Sequence, residues 1–156
     1  MESLDALREL LVPDILGEIV EENGVHCAML RERSSGAKLK KVNINGVPRE
    51  SILIKLDKYD QPLSLFNDDK GQRQRCDYVL FSVLNGKGFV LFIELKSKKT
   101  KKSEFIRQFK GAECVMDYCH STLTRFHNHD QLLNNFSKRF IVFYKPYRMK
   151  IVLTKH

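Results

Sequence analysis

Apolar positions at the start of the chain recur at helical spacing. Leu4, Leu7, Leu10 and Leu11 fall three and four residues apart behind Ser3, a residue type that caps helix N-termini. Val12-Pro13 interrupts that helix, because proline has no amide hydrogen to donate. Pro13 suits the first position of a second helical segment running to Glu22. Ile15, Leu16, Ile19 and Val20 make its apolar face, and Asn23-Gly24 is its stop. Arg31 to Lys41 is a basic loop around Ser34-Ser35-Gly36. Alternation then takes over. A strand is predicted over Lys38 to Ile44, a hairpin turn at Asn45-Gly46, and a returning strand over Ser51 to Tyr59. Asp60 to Gln74 is polar and reads as a loop.

The next two strands are apolar on both faces, as central strands covered on both sides are. They run Arg75 to Phe81 and Phe89 to Lys96 around Asn85-Gly86-Lys87-Gly88. Ser103 caps a predicted helix from Glu104 to about His120, with Phe105, Ile106, Phe109, Ala112, Val115, Met116 and Cys119 as its stripe. Ser121 to Ser137 is polar, with a short helix near Asp130 to Asn135. Arg139 to Tyr144 is a strand, Lys145-Pro146-Tyr147 a turn, and Met149 to Leu153 a last strand.

Three charged residues break the apolar pattern of the central hairpin. Asp77 sits at the far end of its first strand, and Glu94 and Lys96 at that of its second. Residues two apart on a strand share a face, so Glu94 and Lys96 point the same way. If Asn85 and Gly86 are the turn residues, Asp77 lies opposite Glu94; if Gly86 and Lys87 are, it lies opposite Lys96. Either register puts all three on one face. A three-residue loop without a bulge would send Asp77 to the other face. Ionised groups beside a core are paired or bind a metal. A salt bridge of Lys96 with Asp77 or Glu94 on a solvated edge is the plain alternative.

This arrangement resembles the PD-(D/E)XK nuclease superfamily, the restriction-endonuclease-like fold. Asp77, Glu94 and Lys96 occupy the positions of its acidic and lysine motif, while Cys76 stands where the family has its proline. The resemblance extends from about Asp14 to Lys145. It implies an α/β (α+β) fold with an αβββαβ core, in which a mixed central sheet is flanked by helices, here with an added C-terminal strand. It implies Mg²⁺ or Mn²⁺ held by Asp77, Glu94 and the carbonyl of Leu95, with Lys96 orienting water or neutralising charge on the phosphate. A first-helix glutamate joins the metal in this family, which makes Glu18 and Glu22 candidates. Gln108 is a further candidate, by likeness to a helix glutamine in some related nucleases. Position 112 is alanine, where one such family has tyrosine four residues after that glutamine.

Length and charge fit that picture. At 156 residues and 42% hydrophobic, the chain is expected to form one domain with a core of its own. A net charge of +8 is the footprint of a nucleic-acid binder. Lys98, Lys99, Lys101 and Lys102 follow the acidic pair directly and are expected to contact phosphates. No apolar run approaches the ~20 residues of a membrane span, and the N-terminus lacks the pattern of a signal peptide. A cytoplasmic location and reduced thiols are expected. Cys114, Cys119, His120, His127 and His129 are spaced only loosely like zinc ligands; cysteines packed on a helix and histidines in a polar loop are the plainer reading. The expected activity is hydrolysis of DNA, by a homodimer or beside a partner subunit. RNA as substrate, or a non-catalytic nucleic-acid-binding module of the same fold, are the alternatives.

Overall fold

The structure is a computed structural model that describes residues 4–32, 41–58, 63–98, 100–129 and 133–144. Its centre is the hairpin of β5 (Tyr78–Leu84) and β6 (Lys87–Lys96). Asn85 and Gly86 both adopt positive φ, 51° and 73°, the conformation of a two-residue turn that matches strand twist. This settles the register: Leu84 pairs with Lys87 and Tyr78 with Ile93, so Asp77 meets Glu94. β4 (Glu50–Lys55) lies antiparallel on the free side of β5, and β7 (Ser137–Tyr144) lies parallel to β6. The sheet is therefore mixed, in the order β4-β5-β6-β7.

A parallel neighbour needs a crossover, and α2 (Lys102–His127) supplies it. Its stripe of Phe105, Phe109, Ala112, Met116, Cys119 and Leu123 packs on one face of the sheet with Val79, Phe81, Val90, Phe92, Phe140 and Val142. Phe140 sits between Phe92 and Phe109, with ring centroids 5.1 Å from each. Each such fully buried side chain contributes about 1.5–3 kcal/mol. α1 (Asp5–Leu10) joins this layer through Leu4 and Leu7. Arg8 ties it to β4 by donating to the Ser51 carbonyl at 2.9 Å.

The second face of this sheet corrects the expectation of flanking helices. It carries a three-stranded sheet of β1 (Glu18–Glu22), β2 (Val25–Arg31) and β3 (Lys41–Val47). Ala28, Leu30 and Val47 bury against Leu53, Tyr78, Leu80, Ile93 and Leu95. The chain thus forms a mixed α/β arrangement of a helical layer and two sheets. The Tyr78 hydroxyl joins the sheets, donating to the Arg31 carbonyl at 2.9 Å and accepting its N–H at 3.0 Å.

Several local expectations change with this layer. Pro13 does begin a helical turn, but it is a short 3-10 turn ending at Ile15, and β1 replaces the rest of the second helix. Asn23-Gly24, with φ of 51° and 77°, is the β1–β2 hairpin turn and not a helix stop. Asn45-Gly46 is no hairpin turn either. Gly46, at φ 75°, is the extra residue of a bulge where β2 pairs skip from Cys27–Asn45 to His26–Val47. After Pro48 the chain changes sheets instead of folding back on β3. β4 ends at Lys55, and Leu56–Lys58 forms a 3-10 turn.

α2 starts one residue after Lys101 and has no side-chain cap, so Ser103 lies inside the helix and not before it. The helix continues to His127 and ends on Asn128 in the left-handed region. Residues 133–135 form a turn. The short helix expected at 130–135 therefore lies partly outside the described residues, and the turn and strand expected after Tyr144 lie wholly outside them. Among the described residues, no helix is long and apolar enough to cross a membrane.

Candidate active site

Strand parity builds the site. Val79 and Phe81 face the helical layer, and so does Asp77, two residues before Val79. Val90 and Phe92 face it too, and so do Glu94 and Lys96. The hairpin register places the two carboxylates opposite each other, and each accepts an amide from the other strand. The Asp77 N–H donates to Glu94 Oε2 at 3.1 Å, and the Leu95 N–H donates to Asp77 Oδ2 at 2.7 Å. The Asp77 carbonyl accepts the Leu56 N–H at 3.0 Å, which fixes the start of β5 from its other side.

α2 closes over this pair. Gln108 Nε2 donates to Glu94 Oε1 at 2.9 Å. Lys96 Nζ lies 3.1 Å from the same oxygen and 3.4 Å from Glu104 Oε1. The depth of α2 over the hairpin is set by Gly111, since a Cβ there would overlap the Gln74 carbonyl oxygen. The glycine lets the segment leading into Asp77 lie directly against the helix.

Burial governs the electrostatics. Glu94 is 2% exposed. Burial, then the Glu94 charge, push the Asp77 carboxyl up to about 8, against the pull of the Leu95 N–H. The more distant Asp57 and Glu32 add to the upward push. Burial also raises Glu94, opposed by the Lys96 ammonium and by the hydrogen bonds of Lys96 and Gln108. For Lys96, burial pulls downward, but Glu94 and then Glu104 outweigh it and hold the amine above its ordinary value. Cys76, fully buried beside the pair, has its thiol raised by burial and by both carboxylates.

The structure therefore brings together Asp77, Glu94, Lys96, Gln108 and the backbone of Leu95. It contributes the Leu95 amide to this network, where the sequence pointed to its carbonyl. Glu18 does not join. It lies on β1 of the second sheet, paired with Met29 and 3.9 Å from Arg31, so the first-helix position assumed for it is corrected to a strand. Glu22 is exposed at the end of the same strand. Lys98, Lys101 and Lys102 are exposed between the site and the first turn of α2, while Lys99 lies outside the described residues.

Glu104, Asp57 and Glu32 were missed from sequence. Glu104 had a signal, because it lies four residues before Gln108 and so shares its helix face. Asp57 and Glu32 had none, since β4 and β2 bring them in only through sheet packing. Cys114 is exposed and Cys119 buried on α2, both as free thiols.

The donors suited to a hard cation are the two carboxylates and the Gln108 Oε1 oxygen, which is buried without a hydrogen-bond partner. Among the described residues no three His, Cys, Asp or Glu side chains gather closely enough to form a complete cage. Such a set suits a cation that keeps several of its own waters. The chain matches no protein-family model, no curated protein and no solved structure.

Proposed function

We propose that this protein is a metal-dependent nuclease of the PD-(D/E)XK type that hydrolyses phosphodiester bonds of DNA, as an endonuclease. One observation carries the reading: a half-buried Asp77 and a buried Glu94 are held together on one face with Lys96. A pair of carboxylates drawn out of water is costly unless positive charge compensates it, and burial and the Glu94 charge raise the Asp77 carboxyl to about 8. Supporting context comes from the order of elements around the four-stranded sheet. α1 precedes β4, β5 and β6, and α2 leads into β7; with the second sheet read as an insertion after α1, that order supports the αβββαβ reading.

Asp77 and Glu94 would hold Mg²⁺ or Mn²⁺, with Gln108 Oε1 as a neighbouring acceptor. A bound divalent cation polarises the phosphate and makes its water more acidic. Lys96 stabilises negative charge developing on the phosphate oxygens. Gln108 holds the Glu94 carboxylate in orientation. Lys98 to Lys102 grip the phosphate backbone. Lysines at a helix N-terminus oppose the helix dipole, so Lys101 and Lys102 fit anion binding better than helix stability. Cutting both strands of a duplex would call for a homodimer or a partner subunit.

A second reading has an observation of its own. Glu94 Oε1 already accepts from both Lys96 and Gln108, so the pair is partly neutralised from within. That favours a nucleic-acid-binding module that performs no cleavage. Incubation with linear, circular, single-stranded and branched DNA and with RNA, in Mg²⁺, Mn²⁺ or chelator, separates these cases. Cleavage that needs the metal and is lost in Glu94→Gln at unchanged melting temperature is the expected result. Cleavage in excess chelator, or none on any substrate, sinks the nuclease reading, and cleavage confined to RNA replaces DNA as the substrate.

A further inference from the structure

Glu104 stands outside the acidic pair, yet it meets the Lys96 ammonium beside it. Lys96 Nζ is shared between Glu94 Oε1 at 3.1 Å and Glu104 Oε1 at 3.4 Å. The two carboxylates differ in setting: the Glu94 side chain is 3% exposed and that of Glu104 is 52% exposed. Lys96 itself is 12% exposed, so its ammonium cannot lose a partner without a desolvation cost. A divalent cation on Glu94 would repel that ammonium at close range. Glu104 already lies within reach, on the helix turn before Gln108, and takes the charge with little movement.

Resting on the nuclease reading, we propose that Glu104 is a positioning residue for Lys96. It keeps the ammonium at the phosphate when a divalent cation claims Glu94, in place of releasing it to solvent. A plain structural role differs in its consequences. An acidic residue in the first turn of α2 stabilises that helix through its dipole whatever Lys96 does.

The test is a double-mutant cycle on Mn²⁺ binding, measured by calorimetry on the full chain. Glu104→Gln should weaken Mn²⁺ binding about three- to fivefold, the range of a partly exposed charge pair. The same change made on top of Lys96→Met should alter it less than about twofold, because the two residues act as one unit. Equal losses in both backgrounds overturn the proposal. If Lys96→Met fails to fold, acylation of the Lys96 amine, read by mass spectrometry, needs no Lys96 variant. Mn²⁺ should leave Lys96 protected in the native protein and expose it several-fold in Glu104→Gln. An equal response in the two overturns the proposal as well. Glu104→Gln should also lower kcat with KM for DNA unchanged, and Glu104→Asp should restore part of it. A native protein that binds no Mn²⁺ sinks the nuclease reading itself and the proposal with it. Mn²⁺ binding with an additive cycle sinks the proposal alone.

Discussion

Asp77 and Glu94 are held by an exchange of hydrogen bonds, each carboxylate on an amide of the opposite strand. The exchange fixes their positions whether or not they are charged, so their titration becomes a measure of the site. The Asp77 carboxyl is raised from 3.8 to about 8, chiefly by burial. The folded protein therefore keeps a proton that the unfolded chain releases. The stability tied to that proton is complete below about pH 4 and is lost as pH rises toward about 8, at most about 1.4 kcal/mol per pH unit. Asp77→Asn removes this loss. In chelator, its melting temperature should gain on the native protein's as pH rises from acid to mildly basic. A constant difference across that range would contradict the burial argument. The grouping of Asp77, Glu94 and Lys96 was legible because it needs only strand parity and one turn, whereas Gln108 was named through the likeness to related nucleases. Glu18 was misplaced because Ile15, Leu16, Ile19 and Val20 satisfy a helical period over too short a stretch to exclude a strand.

At the scale of elements, α2 sets the geometry of the site through a glycine that weakens the helix by itself. Alanine at position 111 would favour an isolated helix by about 1 kcal/mol. Here its Cβ would overlap the Gln74 carbonyl, so the helix or the segment leading to Asp77 must move. Gly111→Ala is expected to lower stability by about 1–3 kcal/mol or more, in the range of overpacked cores, and to reduce Mn²⁺ affinity. Chemical denaturation and calorimetry check both. A stabilised Gly111→Ala protein would mean that the contact is not as close as it stands. The start of the same helix carries the lysines. Replacing Lys98, Lys99, Lys101 and Lys102 with Ala should weaken DNA binding on all sequences. It should also reduce the slope of log affinity against log salt by roughly one unit per lost phosphate contact. An unchanged slope would make these lysines bystanders.

Over the whole molecule, a net charge of +8 surrounds a site that turns locally negative once Asp77 ionises, above about pH 8 without metal. The overall field attracts a polyanion while the carboxylates repel the phosphate to be cut. Each unscreened repulsion at about 4 Å costs about 1 kcal/mol in water and more in a partly desolvated cleft. A divalent cation reverses that sign. Ca²⁺ at constant ionic strength should therefore tighten DNA binding by the native protein. Asp77→Asn should lose the Ca²⁺ effect, and above about pH 8, where the native Asp77 is ionised without metal, it should also tighten metal-free binding. A pure binding module that grips through its lysines gives the reverse: weak competition by Ca²⁺ and no response to Asp77→Asn. Fluorescence anisotropy on both proteins, with Ca²⁺ and with chelator, distinguishes the two.

The amino-acid order alone determined the central hairpin, the face shared by Asp77, Glu94 and Lys96, the apolar stripe of α2 and the strand that follows it. Each rests on a short period or on neighbouring residues. Tertiary structure decided the rest. Asn-Gly supplies a backbone ready for positive φ, and the chain uses that freedom differently at each place. Asn85-Gly86 and Asn23-Gly24 are hairpin turns, while Gly46 is a bulge from which the chain moves toward another sheet. Which use prevails depends on what the flanking strands bury against, and the second sheet covers a face of β5 and β6 that a helix would have covered equally well. The same packing carries Glu18 to the second sheet and brings Glu104 to Lys96, because contacts between distant segments are set by how layers stack and not by any local period.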